Sequence, residues 1–129
     1  MSDYKYLSKE LPDMEKSFII SLTGEFTRTK FEGEFKCRIP NNETKTKVSK
    51  YRAMLNEGLD DHLDIGTRNY HQMIAYLKYT LVKFPDFWEE TNSGMQLYDV
   101  NIVEEVYNKV LAFEEEWVSK VWPKPKKKK

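Results

Sequence analysis

Two periodicities organise the chain. Between Lys30 and Ile39, the residues Phe31, Gly33, Phe35, Cys37 and Ile39 alternate with Glu32, Glu34, Lys36 and Arg38. A period of two is that of a strand with one dry and one wet face. From Asp99 to Trp122 the period changes. Val103, Val106, Val110, Phe113, Trp117 and Val121 recur at spacings of three and four, which sets one apolar stripe along a helix of about six turns. Ile102, Tyr107, Leu111 and Trp122 widen that stripe, and Glu104, Glu105, Asn108, Glu114, Glu115 and Lys120 take the other side. Asn101 with Glu104 has the spacing of a capping box, and Asp99 is an alternative N-cap. Pro123 and Pro125 stop the helix.

The remaining elements follow from shorter signals. Phe18, Ile19, Ile20 and Leu22 make Lys16–Leu22 a first strand, joined to the second as a hairpin by Thr23–Thr29, which holds Gly24. A two-stranded hairpin is marginal alone, so its Phe31/Phe35 face is expected to lie on the long helix. Pro40, Asn41 and Asn42 end the second strand. Asn42 or Thr44 caps a helix reaching about Glu57, with Val48, Tyr51 and Leu55 inward, Lys45, Lys47, Lys50 and Arg52 outward, and Gly58 suited to the left-handed position beyond it. Thr67 then caps a helix with Tyr70, Met73, Ile74, Leu77 and Leu81 at helical spacing, stopped by Phe84 and Pro85. In the connection Asp86–Tyr98, the adjacent Phe87 and Trp88 imply either a short helical turn docked on the core or an exposed anchor. The fold class is therefore α+β: an N-terminal β-hairpin packed on a three-helix C-terminal part.

Composition adds the domain plan. A chain of 129 residues with 40% hydrophobic and 14% aromatic side chains can bury an adequate core as one unit. Residues 1–15 read as a flexible arm, 16–122 as a single domain and 123–129 as a disordered lysine-rich tail. Charge is balanced at 21 basic and 21 acidic residues, but five lysines lie in the tail, which leaves 1–122 with a net of minus five. That sign disfavours nucleic-acid binding by the body. The excess of Lys over Arg, 17 to 4, also disfavours bidentate base or phosphate recognition. No apolar run approaches a membrane span.

Candidate chemistry is sparse. Cys37 is the one cysteine, read as a small buried residue on a strand. His62 and His71 belong to no metal-binding pattern, His62 being expected exposed and His71 beside the apolar stripe. Asp60, Asp61 and Asp64 lack the glycine and closing Glu of a calcium loop. Neither a phosphate-binding glycine loop nor a Ser or Cys nucleophile arrangement occurs, and the paired carboxylates fall on polar faces. The reading is a protein without catalytic residues, cofactor or metal. What a self-contained fold leaves unexplained is its large apolar residues. Phe87, Trp88, Met95, Trp117 and Trp122 are the candidate partner-binding set, since such side chains dominate interface energetics when turned outward.

The ordered motifs carry a resemblance. GEFTRTKFEGEF (Gly24–Phe35), RIP (Arg38–Pro40), a Lys-rich helix, FPDFW (Phe84–Trp88) and the helix LYDVNIVEEVYNKVLAFEEEW resemble the small tail assembly chaperones of long-tailed bacteriophages, over about residues 17–118. The resemblance implies a non-enzymatic protein of the host cytoplasm that binds the tape measure protein, keeps its apolar helices soluble, helps recruit tail tube subunits and is absent from the mature virion. Met54, Met73, Met95, Phe87 and Trp88 are residues suited to an adaptable apolar surface. The resemblance also raises a frameshifted longer product, encoded through the lysine run. A homo-oligomer is compatible with it. The alternatives are a structural virion component, such as a tail-completion or head-tail connector subunit expected to form a ring, and a nucleic-acid-binding protein acting through the lysine tail.

Overall fold

The computed structural model describes residues 11–57, 59 and 62–121. Its order is β1 (Glu15–Thr23), β2 (Lys30–Arg38), α1 (Asn42–Asn56), α2 (Ile65–Thr80), β3 (Leu81–Lys83), α3 (Asp86–Glu90) and α4 (Val100–Val121). The fold is α+β as the patterns predict, an N-terminal hairpin packed on helices. Trp122, Gly58, Asp60, Asp61 and the tail 123–129 lie outside the described residues, as does the arm up to residue 10.

β1 and β2 pair antiparallel with Phe18 opposite Phe35, Ile20 opposite Gly33 and Leu22 opposite Phe31, so the period-two pattern puts one row of apolar residues on one face. Phe18 and Phe35 stack at 5.5 Å between centroids. α4 packs on β1, with Val103, Val106 and Val110 fully buried, whereas Phe31 and Phe35, expected on the long helix, lie against Phe87 and Trp88 of α3, and α2 lies between α1 and α4. Glu15, expected in the arm, opens β1, and the Met14 carbonyl accepts from Ile39 N at 2.8 Å.

Four further boundaries differ from expectation, the first being the start of α1, which Asn41 caps in place of Asn42 or Thr44 by accepting from Thr44 N at 2.9 Å. The helix expected to reach Phe84 ends at Thr80, and Leu81–Lys83 forms a third strand beside β2. Pairing with the otherwise open β2 edge outweighs helical periodicity there. Asp64, not Thr67, caps α2, accepting from Thr67 Oγ1 at 2.6 Å. Glu57 takes the left-handed position after α1 that Gly58 was expected to fill.

Candidate functional site

A buried carboxylate organises one end of the molecule. Asp99, the alternative N-cap read from the sequence, turns its side chain into the hairpin loop instead. Its Oδ1 accepts from Phe26 N at 2.6 Å and Thr27 N at 2.8 Å, and its Oδ2 from Thr27 Oγ1 at 2.5 Å. Asn101, expected in a capping box with Glu104, does the same work: it accepts from Glu25 N at 3.0 Å and donates to Thr23 O at 3.1 Å. The local capping signal loses to a contact with the loop, whose Glu25, Phe26 and Thr27 N–H groups these two side chains satisfy. Burial by itself would raise the Asp99 pKa. The Thr27 hydroxyl and the two loop N–H groups outweigh it and hold the carboxyl below its usual range. Gly24 makes the approach feasible, because a Cβ there would lie 2.3 Å from the Asp99 carboxyl carbon.

This clamp fixes which side chains face water. With Asp99 turned in, its neighbours Tyr98 and Val100 turn out, and the loop carries the Phe26 ring beside Tyr98. Phe26 is 76% and Tyr98 75% exposed, with ring centroids 6.4 Å apart. Val100 is 46% exposed. The result is an aromatic tip held on a hydrogen-bonded loop. Sequence reasoning missed it, although one signal was present: Phe26 is a lone aromatic in the polar turn Thr23–Thr29.

The aromatic residues singled out from the sequence are placed differently. Trp88 is no surface anchor. It is 1% exposed, packs edge-on to Phe35 at 5.5 Å and fills the space that Gly94 leaves. Phe87 is partly buried on Phe31 and Phe35 at 5.0 and 6.1 Å. Met95 packs against the same core. The Asp86–Tyr98 connection thus takes the docked alternative, with α3 presenting Trp88 inward. Pro85 lies so close to Gly33 that a Cβ there would meet it at 2.5 Å, and Tyr70 Oη ties α2 to the Gly94 carbonyl at 2.7 Å. Trp117 is half-buried, its indole N–H donating to the Pro12 carbonyl at 3.2 Å. The four described residues of the set therefore do not form one surface, and Trp122 lies outside the described residues.

Along the far half of α4 a second apolar surface is open. Leu111 and Val118 are 37% and 51% exposed, in a face that also carries Ala112, Glu115 and Ser119. Leu111 was expected to widen the buried stripe; it lies off the side that meets β1 and α2.

Few buried groups titrate away from their ordinary range. Glu114 is half-buried; burial raises its pKa, the Lys45 charge partly opposes the shift, and the Tyr76 hydroxyl donates to its carboxylate. Burial, with the Glu114 charge second, pushes the Cys37 thiol up to about 11, a value at which thiolate is scarce. His71 Nδ1 lies 2.7 Å from the amide oxygen of buried Asn56, and His62 is exposed. Among the described residues, no group of three or more His, Cys, Asp or Glu is placed to hold a metal ion, and no helix is long and apolar enough to cross a membrane. No family model, no curated protein and no solved structure matches the chain.

Proposed function

We propose that this chain is a non-enzymatic tail assembly chaperone of a long-tailed bacteriophage, binding the tape measure protein and helping to recruit tail tube subunits in the host cytoplasm. The observation that carries this reading is the Phe26–Tyr98 tip. Two large rings stand about three-quarters exposed, Phe26 on a loop whose N–H groups are held by the buried Asp99 carboxylate and Tyr98 next to that carboxylate in the chain. Stiff, outward aromatic area is what a surface that captures apolar segments of another chain needs, because little side-chain or loop entropy is lost on binding. The tape measure protein is the partner that the resemblance carried by the motifs between residues 17 and 118 implies.

Co-expression with the neighbouring tape measure protein tests the reading. The expected outcome is a soluble tape measure protein with the wild-type chain and an aggregated one with the Phe26→Ser/Tyr98→Ser double variant, both chaperone forms remaining folded. Rescue that survives the double variant would remove the tip as the binding surface. Finding the chain as a stoichiometric component of purified virions by mass spectrometry would replace the chaperone reading with that of a structural subunit.

A further inference from the structure

The outward face of α4 repeats. Leu111 and Val118 are seven residues apart, as are Ala112 and Ser119, so two apolar ridges stand beside two small residues in successive heptads. Large knobs next to shallow holes at this spacing are what a second helix packs against at close range. The residues lining the open space here all belong to α4, and nothing among the described residues covers it.

Charge narrows the choice of helix. Glu114, Glu115 and Glu116 line the same space, and no Lys or Arg does. Glu116 is engaged by Lys16 at 3.4 Å and Lys120 at 3.5 Å, and Glu114 by the Tyr76 hydroxyl. Glu115 makes no ion pair among the described residues, and it sits between the two ridges. An acidic partner helix would meet uncompensated repulsion on this face, and a basic one would meet matched charge.

We infer that the α4 face built from Leu111, Ala112, Glu115, Val118 and Ser119 docks a basic amphipathic helix of the partner protein. That helix sets leucine-sized side chains against Ala112 and Ser119 and a Lys or Arg against Glu115. The inference extends the reading of this chain as a binder of other proteins, on which it rests, to a surface separate from the Phe26–Tyr98 tip.

The test uses the full chain and two synthetic 18-residue helical peptides with one leucine heptad stripe, one flanked by lysines and the other by glutamates. Fluorescence anisotropy at low salt is expected to show binding of the lysine peptide that weakens as salt is raised. Glu115→Lys is expected to weaken the lysine peptide about fivefold and to strengthen the glutamate peptide by a like factor, on the scale of one exposed ion pair. Leu111→Glu/Val118→Glu is expected to abolish binding of both peptides; these positions are exposed, and circular dichroism checks that the variants stay folded. Amide shift mapping on the wild-type chain should place the contact on residues 108–119.

An unchanged peptide preference in Glu115→Lys overturns the inference. So does a contact that maps to Phe26 and Tyr98, or a self-association of the chain alone that Glu115→Lys disperses, which would make a second copy the occupant. Peptide binding with a tape measure protein that stays insoluble would remove the chaperone reading and leave this face standing. Solubility rescue without peptide binding would do the reverse.

Discussion

Asp99 and Thr27, 72 residues apart, are joined twice: the Thr27 hydroxyl donates to one carboxylate oxygen of Asp99 and the Thr27 backbone N–H to the other. This pair couples the start of α4 to the turn between β1 and β2. Asp99→Asn is expected to lower the melting temperature at neutral pH, since an amide N–H₂ would face donors in place of one acceptor oxygen. The sign with pH is defined. A carboxyl held below its ordinary pKa adds stability that is present above the unfolded value and lost as pH falls through the folded one. Urea unfolding of the wild type and Asp99→Asn between pH 2 and 7 should therefore show the difference shrinking in acid.

Gly24→Ala should act through the same clamp. Its Cβ would overlap the Asp99 carboxyl group, so the loop must lift away. Hydrogen exchange at the Phe26 and Thr27 amides is the readout. Loss of protection is expected there, with β2 protection less affected.

Trp88→Ala is expected to cost about 3–5 kcal/mol, as for a large core aromatic replaced by alanine. That is a large share of the roughly 5–15 kcal/mol of a typical domain. Gly94→Ala should destabilise from the opposite direction. Gly94 has φ +86°, and a Cβ would lie 2.7 Å from the Trp88 ring, so left-handed strain and overpacking together predict about 2–4 kcal/mol. Denaturant melts measure both, and a near-neutral Trp88→Ala would place the indole outside the core after all.

Glu114→Gln is expected to stabilise the protein slightly at neutral pH. Burial raises the Glu114 pKa, so stability from its protonated form is complete below the unfolded value and is lost as pH rises through the folded one. The glutamine keeps an acceptor for the Tyr76 hydroxyl. The gain over wild type should vanish in thermal melts near pH 4.

Cys37 should resist thiol reagents. With its pKa pushed up to about 11 by burial, and no exposed surface, reaction at pH 8 is expected only through opening of the fold. Labelling rates should rise with urea in step with unfolding, and rapid labelling of the native chain would contradict the burial.

The parts legible from the residues are those whose signal is local and repeated. Phe31–Cys37 alternates cleanly because β2 turns one face to the core, where Phe31 and Phe35 meet Phe87 and Trp88, and Val103, Val106 and Val110 recur because they are buried in that same core. Two kinds of feature escaped. Leu81–Lys83 reads as helix because its strand character comes from pairing with Lys36 and Cys37, far away in sequence. Asp99 and Asn101 read as helix caps because nothing nearby announces a loop 72 to 78 residues earlier. The candidate site was displaced for the same reason. Adjacent Phe87 and Trp88 left a docked turn and an outward anchor both open, because the space that receives Trp88 is left by Gly94 and walled by Phe35, neither of which the dipeptide announces. Phe26 is exposed because a distant carboxylate holds its backbone. Of the proposed surfaces, only the α4 stripe could be traced by spacing, and which flank stays uncovered depends on how far α2 reaches.

At 22 residues α4 is about 33 Å long, and its fully buried side chains stop at Val110. Beyond that point one flank still leans on β1 through Phe113 and on the segment before it through Trp117 and Pro12, while the other is spared any duty in holding the globule together. Changes on that spared flank carry little folding penalty. Diversification among related chains is thus expected to gather there, letting recognition drift with each partner while the scaffold beneath stays as it is.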